Sequence, residues 1–246
     1  CAFVACHCRL LLMKVKPRAV FIVAHPDDET LFFGGAILHY SHAFDVTVVC
    51  VTDGNADGKG KERKKDFLKA IKILCARDYA WLGFPDIYSK RLEQVPLKAA
   101  LESFVSESKI IFSHGAIGEY GHPHHQDVSE AVHSLCSQMK KAVYSPAYNS
   151  FPDRVFHLSN SDFEKKCQIL SRVYGSETQR FLHLLPATSV EPFVETKSAG
   201  QFAEAKKIFR FMSYESAKLS KSSLKRYRPL YEHLVRQREL MNERPF

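Results

Sequence analysis

Short β-branched runs that alternate with stretches of helical spacing predict an α/β fold, a mostly parallel sheet with helices on both faces, in a single domain. Three observations carry this. Runs such as Ala19–Val23 and Asp45–Val51 read as strands buried on both faces. Each leads into a helical pattern and not into a two-residue hairpin turn. The polar segments rich in His and Asp follow directly on the strands, where open α/β sheets hold their ligands. The expected architecture is therefore Rossmann-like, and 246 residues are enough for one full core.

In chain order, Ala19–Val23 is the first strand, and it ends in His25-Pro26-Asp27-Asp28-Glu29. Leu31, Phe32, Ile37 and Leu38 then give a helix over 31–41, with Thr30 or one of the aspartates as N-cap and acids in its first turn. Asp45–Val51 is the second strand, closed by Thr52-Asp53-Gly54-Asn55. A Lys-rich loop leads to a helix over 61–76, whose Phe67, Ala70, Ile71 and Leu74 share one face. Tyr79–Leu82 is a third strand ended by Gly83-Phe84-Pro85-Asp86, and a helix through 97–105 leads to a fourth, Lys109–Ser113. Glycines and prolines keep the next segment irregular until a helix starts near His124. Late strands are expected at 142–145 and 154–158. Helices are expected at 162–173, 176–185 and 201–212, with a basic one over 221–241 interrupted at Pro229. No repeat, low-complexity segment or internal domain boundary is visible.

No apolar run approaches the roughly 20 residues of a membrane helix, so a soluble, cytoplasmic protein is expected. The net charge is +8, and residues 201–246 hold eleven Lys and Arg against five Glu. This basic tail reads as a solvated helix face, not as a nucleic-acid surface. Cys50, Cys75 and Cys136 lie in apolar segments and read as small buried residues, without a paired framework. Cys6-His7-Cys8 suggests a metal in isolation, but Met13 stands just before the first strand. Residues 1–12 are accordingly read as a leader or remnant and 13–246 as the domain. No phosphate loop or Gly-x-Gly-x-x-Gly follows any strand, and Gly34-Gly35 falls inside a helix, which argues against a nucleotide-binding fold.

The chemistry is concentrated in two loops. His25 and Asp28 stand three apart across a strand-to-helix bend, close enough to bind one metal ion, and Asp27 remains free as a base. The second loop, Ser113 to Val128, is dense in histidine and also lies at a strand's carboxyl end. One of its histidines would complete a three-ligand catalytic zinc site with an open position for water. A His₂Asp set lacks thiolate, so the ion stays a strong Lewis acid and bound water ionises near neutral pH. His122 and Tyr120 are the candidates for stabilising an oxyanion and protonating a leaving nitrogen. Asp53, at the same sheet edge, is either a loop-stabilising acid or one that lines the site. Glu29 reads as a helix-start acid that orients its neighbours, and His114, His133, His157 and His183 as ordinary hydrogen-bonded or surface residues.

Ala24-His-Pro-Asp-Asp-Glu29 together with Tyr120-Gly-His-Pro-His-His125 resembles the LmbE/PIG-L-type family of zinc-dependent N-acetylglucosaminyl de-N-acetylases. The resemblance runs from about Val20 to Ala131 and more weakly to Ala217. It implies that His25, Asp28 and His125 bind the metal, Zn²⁺ or another divalent ion such as Fe²⁺, with Asp27 as base. It further implies that His122 polarises the carbonyl or acts as acid, and that Tyr120 contacts the transition state. Arg63 and Asp86 are implied to contact the substrate. The family usually has Asp or Asn where His124 stands, so His124 is either a competing ligand, a substrate contact or a partner of the ligands.

The expected reaction is removal of an N-acetyl group from an N-acetylglucosamine-containing glycoside or glycoconjugate, giving acetate and a free amine. The expected partner is a small-molecule or oligosaccharide substrate, with no nucleic acid; a homo-oligomer is allowed for. In the absence of a membrane span, a soluble glycoside is expected over a membrane glycolipid. The alternative is an inactive sugar-binding protein on the same fold.

Overall fold

Every side chain from Ala19 to Ala24 is fully buried, because strand β1 (Arg18–Val23) has parallel neighbours on both edges and helices over both faces. The computed structural model describes residues 16–148, 150–179, 184–212 and 220–242. The expected leader, 1–12, and His183 lie outside the described residues. The further strands are β2 (Asp45–Thr52), β3 (Asp78–Phe84), β4 (Ile110–Ser113), β5 (Val143–Pro146), β6 (Arg154–His157) and β7 (Val190–Thr196). They join in the order β3-β2-β1-β4-β5-β7-β6. β1 to β5 pair in parallel, while β7 is antiparallel to both β5 and β6.

The two-faced burial of β1 can be read residue by residue. Ala19, Phe21 and Val23 belong to one core with Phe33, Ile37, Phe67 and Leu74, from helices α1 (Asp28–Ser41) and α2 (Gly60–Ile73) and the C-cap of α2. Val20, Ile22 and Ala24 face the other core with Leu97, Leu101, Val128 and Val132, from α3 (Gln94–Glu107) and α4 (Pro123–Gln138). The chain winds outward from β1 to β3 and then returns past β1 to β4. That reversal opens a crevice between the carboxyl ends of β1 and β4, the place where doubly wound sheets bind ligands.

The distal half departs from the sequence reading. β7 was not expected, because Pro192 and two glutamates disguise it as a loop. Glu191 is buried there all the same, since its carboxylate pairs with Lys166 Nζ at 2.7 Å and accepts from the Gly35 and Ala36 amides. The helix expected over 162–173 is an α-helix, α5 (Asn160–Gln168), that widens into a π-turn over Ile169–Val173. The helix expected over 176–185 is confined, among the described residues, to the single turn α6 (Gly175–Thr178). The C-terminal part folds as α7 (Ala199–Met212), α8 (Lys221–Arg226) and α9 (Arg228–Asn242), with Pro229 in the first turn of α9. Cys75 is exposed, not buried as expected, because α2 ends before it and it turns outward at φ 58°.

Candidate metal and active site

The β1–α1 turn is held in a costly conformation. Asp27 takes φ 108°, ψ −34°, a region that residues with a Cβ rarely occupy. The buried carboxylate of Glu29 accepts from the Asp27 amide at 2.9 Å and also from the hydroxyls of Thr30 and Tyr174 at 2.6 and 2.8 Å. Arg63 braces the turn from below: its Nη2 donates to the Pro26 carbonyl at 2.8 Å and lies 3.4 Å from the Asp27 carboxylate. Gly54 lets the β2 loop close in, since a Cβ there would lie 2.9 Å from the Pro26 ring.

This turn aims Asp28 and His25 at the β4–α4 loop. His25 Nδ1, Asp28 Oδ2 and His125 Nε2 form a triangle with edges of 3.2, 3.3 and 3.3 Å. Donors on a tetrahedral ion at bond lengths of about 2.0–2.1 Å lie about 3.3–3.4 Å apart. The donor set, two imidazoles and one carboxylate, therefore suits a divalent cation such as zinc in both chemistry and spacing.

The histidines are oriented by their other nitrogens. His125 Nδ1 donates to Glu119 Oε2 at 2.7 Å, which leaves Nε2 bare towards the triangle. The same Glu119 oxygen accepts from His114 Nδ1 at 2.9 Å, and His114 Nε2 in turn accepts from the Ala24 amide. His114 and Glu119 are the residues missed in the sequence. His114, read there as ordinary, is fully buried, 3.4 Å from Asp28 and stacked on His125 with ring centroids 3.9 Å apart. Its place directly after β4 is the signal that would have found it.

Burial and the adjacent Asp28 carboxylate raise the Asp27 pKa to about 8, against the opposing pull of Arg63. Burial opposes ionisation of Asp28 too, but His125 and His114 outweigh it and hold that carboxylate well below the usual range. Burial also works against charge on His25 and His125, yet their carboxylate partners win and raise both. For His114, Glu119 and Asp28 overcome burial and push it up to about 9, while the Ala24 amide directed at Nε2 opposes that second proton. Glu29 is pushed up to about 7 by burial.

The remaining expected residues fall in three groups. His122 and Tyr120 line the cavity with Tyr88, Asp27, Asp86, Arg63 and Glu177. His122 caps α4, its Nδ1 accepting from the His124 amide, so Nε2 carries its proton; partial burial and the neighbouring His125 and His25 press its pKa down to about 3. Tyr120 is 59% exposed, its ring 5.5 Å from that of His125. Arg63 is buried among Asp27, Asp86 and Glu177, and Asp86 approaches His25 Nε2 and His124 Nδ1 at 3.5 and 3.3 Å. Asp53 Oδ1 accepts from the Asn55 and Asp86 amides, and Asp53 is not among the residues lining this cavity.

Residues 20–136 match the model of the GlcNAc-PI de-N-acetylase family, PIG-L. A probable N-acetylglucosaminyl-phosphatidylinositol de-N-acetylase of Dictyostelium discoideum is 28% identical over 129 residues, 49% of this chain and 50% of that protein. A 1D-myo-inositol 2-acetamido-2-deoxy-alpha-D-glucopyranoside deacetylase of Corynebacterium efficiens is 28% identical over 156 residues, 50% of each chain. The chain thus spans about half the length of these curated relatives. The N,N'-diacetylchitobiose deacetylase of Pyrococcus horikoshii shares the fold at a TM-score of 0.56 and 15% identity, over 73% of this chain and 84% of that one. The matched segment, just under half of the chain, is the one that carries both histidine loops.

Proposed function

We propose that this chain is a divalent-metal-dependent hydrolase that removes the acetyl group from an N-acetylglucosamine-containing glycoconjugate. The observation that carries the reading is the His25–Asp28–His125 triangle, with Asp27 beside it and turned out of it. The match to a de-N-acetylase family and the names of its relatives support the substrate class.

A divalent cation held by these three side chains would supply Lewis acidity, polarising the acetamide carbonyl and acidifying water. The Asp27 carboxylate takes the proton of the attacking water. The water oxygen bonds to the carbonyl carbon, the C–N bond breaks, and the nitrogen takes up the proton that Asp27 accepted, so that the amine leaves with acetate as co-product. His122, neutral with its proton on Nε2, donates a hydrogen bond to the carbonyl oxygen as charge develops there. Tyr120 and Tyr88, both exposed and each in contact with the His122 ring, offer aromatic faces to a sugar ring. Arg63 keeps Asp27 aimed through the Pro26 carbonyl.

Among the described residues no helix is long and apolar enough to cross a membrane. The test is to incubate zinc-loaded protein with a panel of N-acetylglucosamine conjugates, including inositol-linked and chito-oligosaccharide forms, and to assay released acetate and amine. Chelation should abolish release and added metal restore it. No acetate from any member of the panel would overturn the assignment.

A further inference from the structure

A second set of metal-ligating atoms sits against the first. His25 Nε2, Asp86 Oδ1 and His124 Nδ1 form a triangle with edges of 3.3, 3.3 and 3.5 Å. All three residues are buried, and His124 is fully so. We propose that these atoms are a second divalent-cation site, with His25 shared between the two sites through its two ring nitrogens. The inference rests on the metal reading above only through His25.

The tautomer of His124 decides much of this. Its Nε2 faces the carbonyl oxygens of Ile87 and Lys90 at 3.2 and 3.0 Å. Carbonyls only accept, so that nitrogen carries the proton and Nδ1 presents a lone pair to Asp86 and His25. Asp86 is fixed as well: its amide donates to Asp53, and Arg63 lies 3.8 Å from its other carboxylate oxygen. Two acceptors thus converge on His25 Nε2. A single proton on that nitrogen can serve only one of them well, at 3.3 or 3.5 Å. The same spacings suit a tetrahedral cation at bond lengths of about 2.0–2.1 Å, whose donors lie about 3.3–3.4 Å apart. Two nitrogens and one carboxylate oxygen favour zinc, cobalt or copper over calcium or magnesium.

Filling both sites turns His25 into a bridging imidazolate. Its remaining ring proton leaves to solvent as the second ion enters, so uptake of that ion releases a proton. His124 supplies the nitrogen that completes the second set.

The test uses full-length protein stripped with a chelator and dialysed against buffered zinc, with bound metal measured by mass spectrometry and folding by circular dichroism. The decisive quantity is the difference between parent and variants, because the chain has other histidines and cysteines. His124→Asn and Asp86→Asn should each lose about one equivalent of zinc while keeping the parent spectrum. Asp28→Asn should lose one equivalent from the other site. Equal zinc in the parent, His124→Asn and Asp86→Asn overturns the second site. If Asp28→Asn alone loses metal, the proposed function stands and only this inference falls. If none of the three loses metal, both fall. Should one variant fail to fold, the other is read against the parent in the same way, and cobalt absorption provides a second measure of occupancy.

Discussion

Glu119 Oε2 accepts the Nδ1 proton of His125 at 2.7 Å, and this bond decides which nitrogen of His125 faces the metal triangle. The carboxylate is fully buried; burial alone would favour its neutral form, but His114 and His125 hold it ionised, down to about 2. Glu119→Gln should therefore weaken zinc binding by about 10–100-fold with the fold intact. Competition with a chromophoric chelator measures this, and unchanged affinity would show that His125 needs no such partner.

Asp27 lies beside the triangle without contributing to it. Asp27→Asn should lower turnover by about 10²–10⁴-fold while leaving bound zinc unchanged. Metal analysis on the same preparation as the assay separates the two effects. A variant as active as the parent removes Asp27 from the role of base.

Lys166 and Glu191 form an ion pair 2.7 Å long with side-chain exposures of 0% and 2%. Removing one member leaves a buried charge, so Lys166→Met should cost about 3–5 kcal/mol in urea unfolding. The double variant Lys166→Met/Glu191→Gln should recover part of that loss, since neither charge then remains. An effect below about 1 kcal/mol in the single variant would contradict the pairing.

His133 is buried against Phe202, with ring centroids 4.2 Å apart, and donates from Nδ1 to the Ser129 carbonyl at 2.8 Å. Burial lowers its pKa to about 4. Since the unfolded chain binds this proton near pH 6.5, it is the more protonated state between the two values. Lowering the pH through that window removes stability, by roughly 3 kcal/mol once pH 4 is reached. His133→Phe keeps the stacking and cannot titrate. Its stability relative to the parent should rise steadily from pH 7 to pH 4.5, and parallel pH profiles would count against this account.

The sequence by itself determined the parallel half of the sheet and the chemistry of its two loops. Ala19–Val23 is apolar at every position because both faces of β1 are covered, and that burial requires helices on both sides. His25 and Asp28 were legible because the residue types and the strand end that carry them are local facts, whereas His125 was singled out among the second loop's histidines only by the family resemblance. Only the tertiary structure decided that β4 lies beside β1, which brings Asp28 and His125 within 3.3 Å across 97 residues of chain. It alone supplied His114 and Glu119, whose contacts join β4 to a loop. It also made Arg63 the buried brace of the β1–α1 turn, and Glu191 the buried partner of Lys166. Hydrophobic periodicity is a property of neighbours in sequence, whereas the pairing of buried polar groups depends on which distant strands meet.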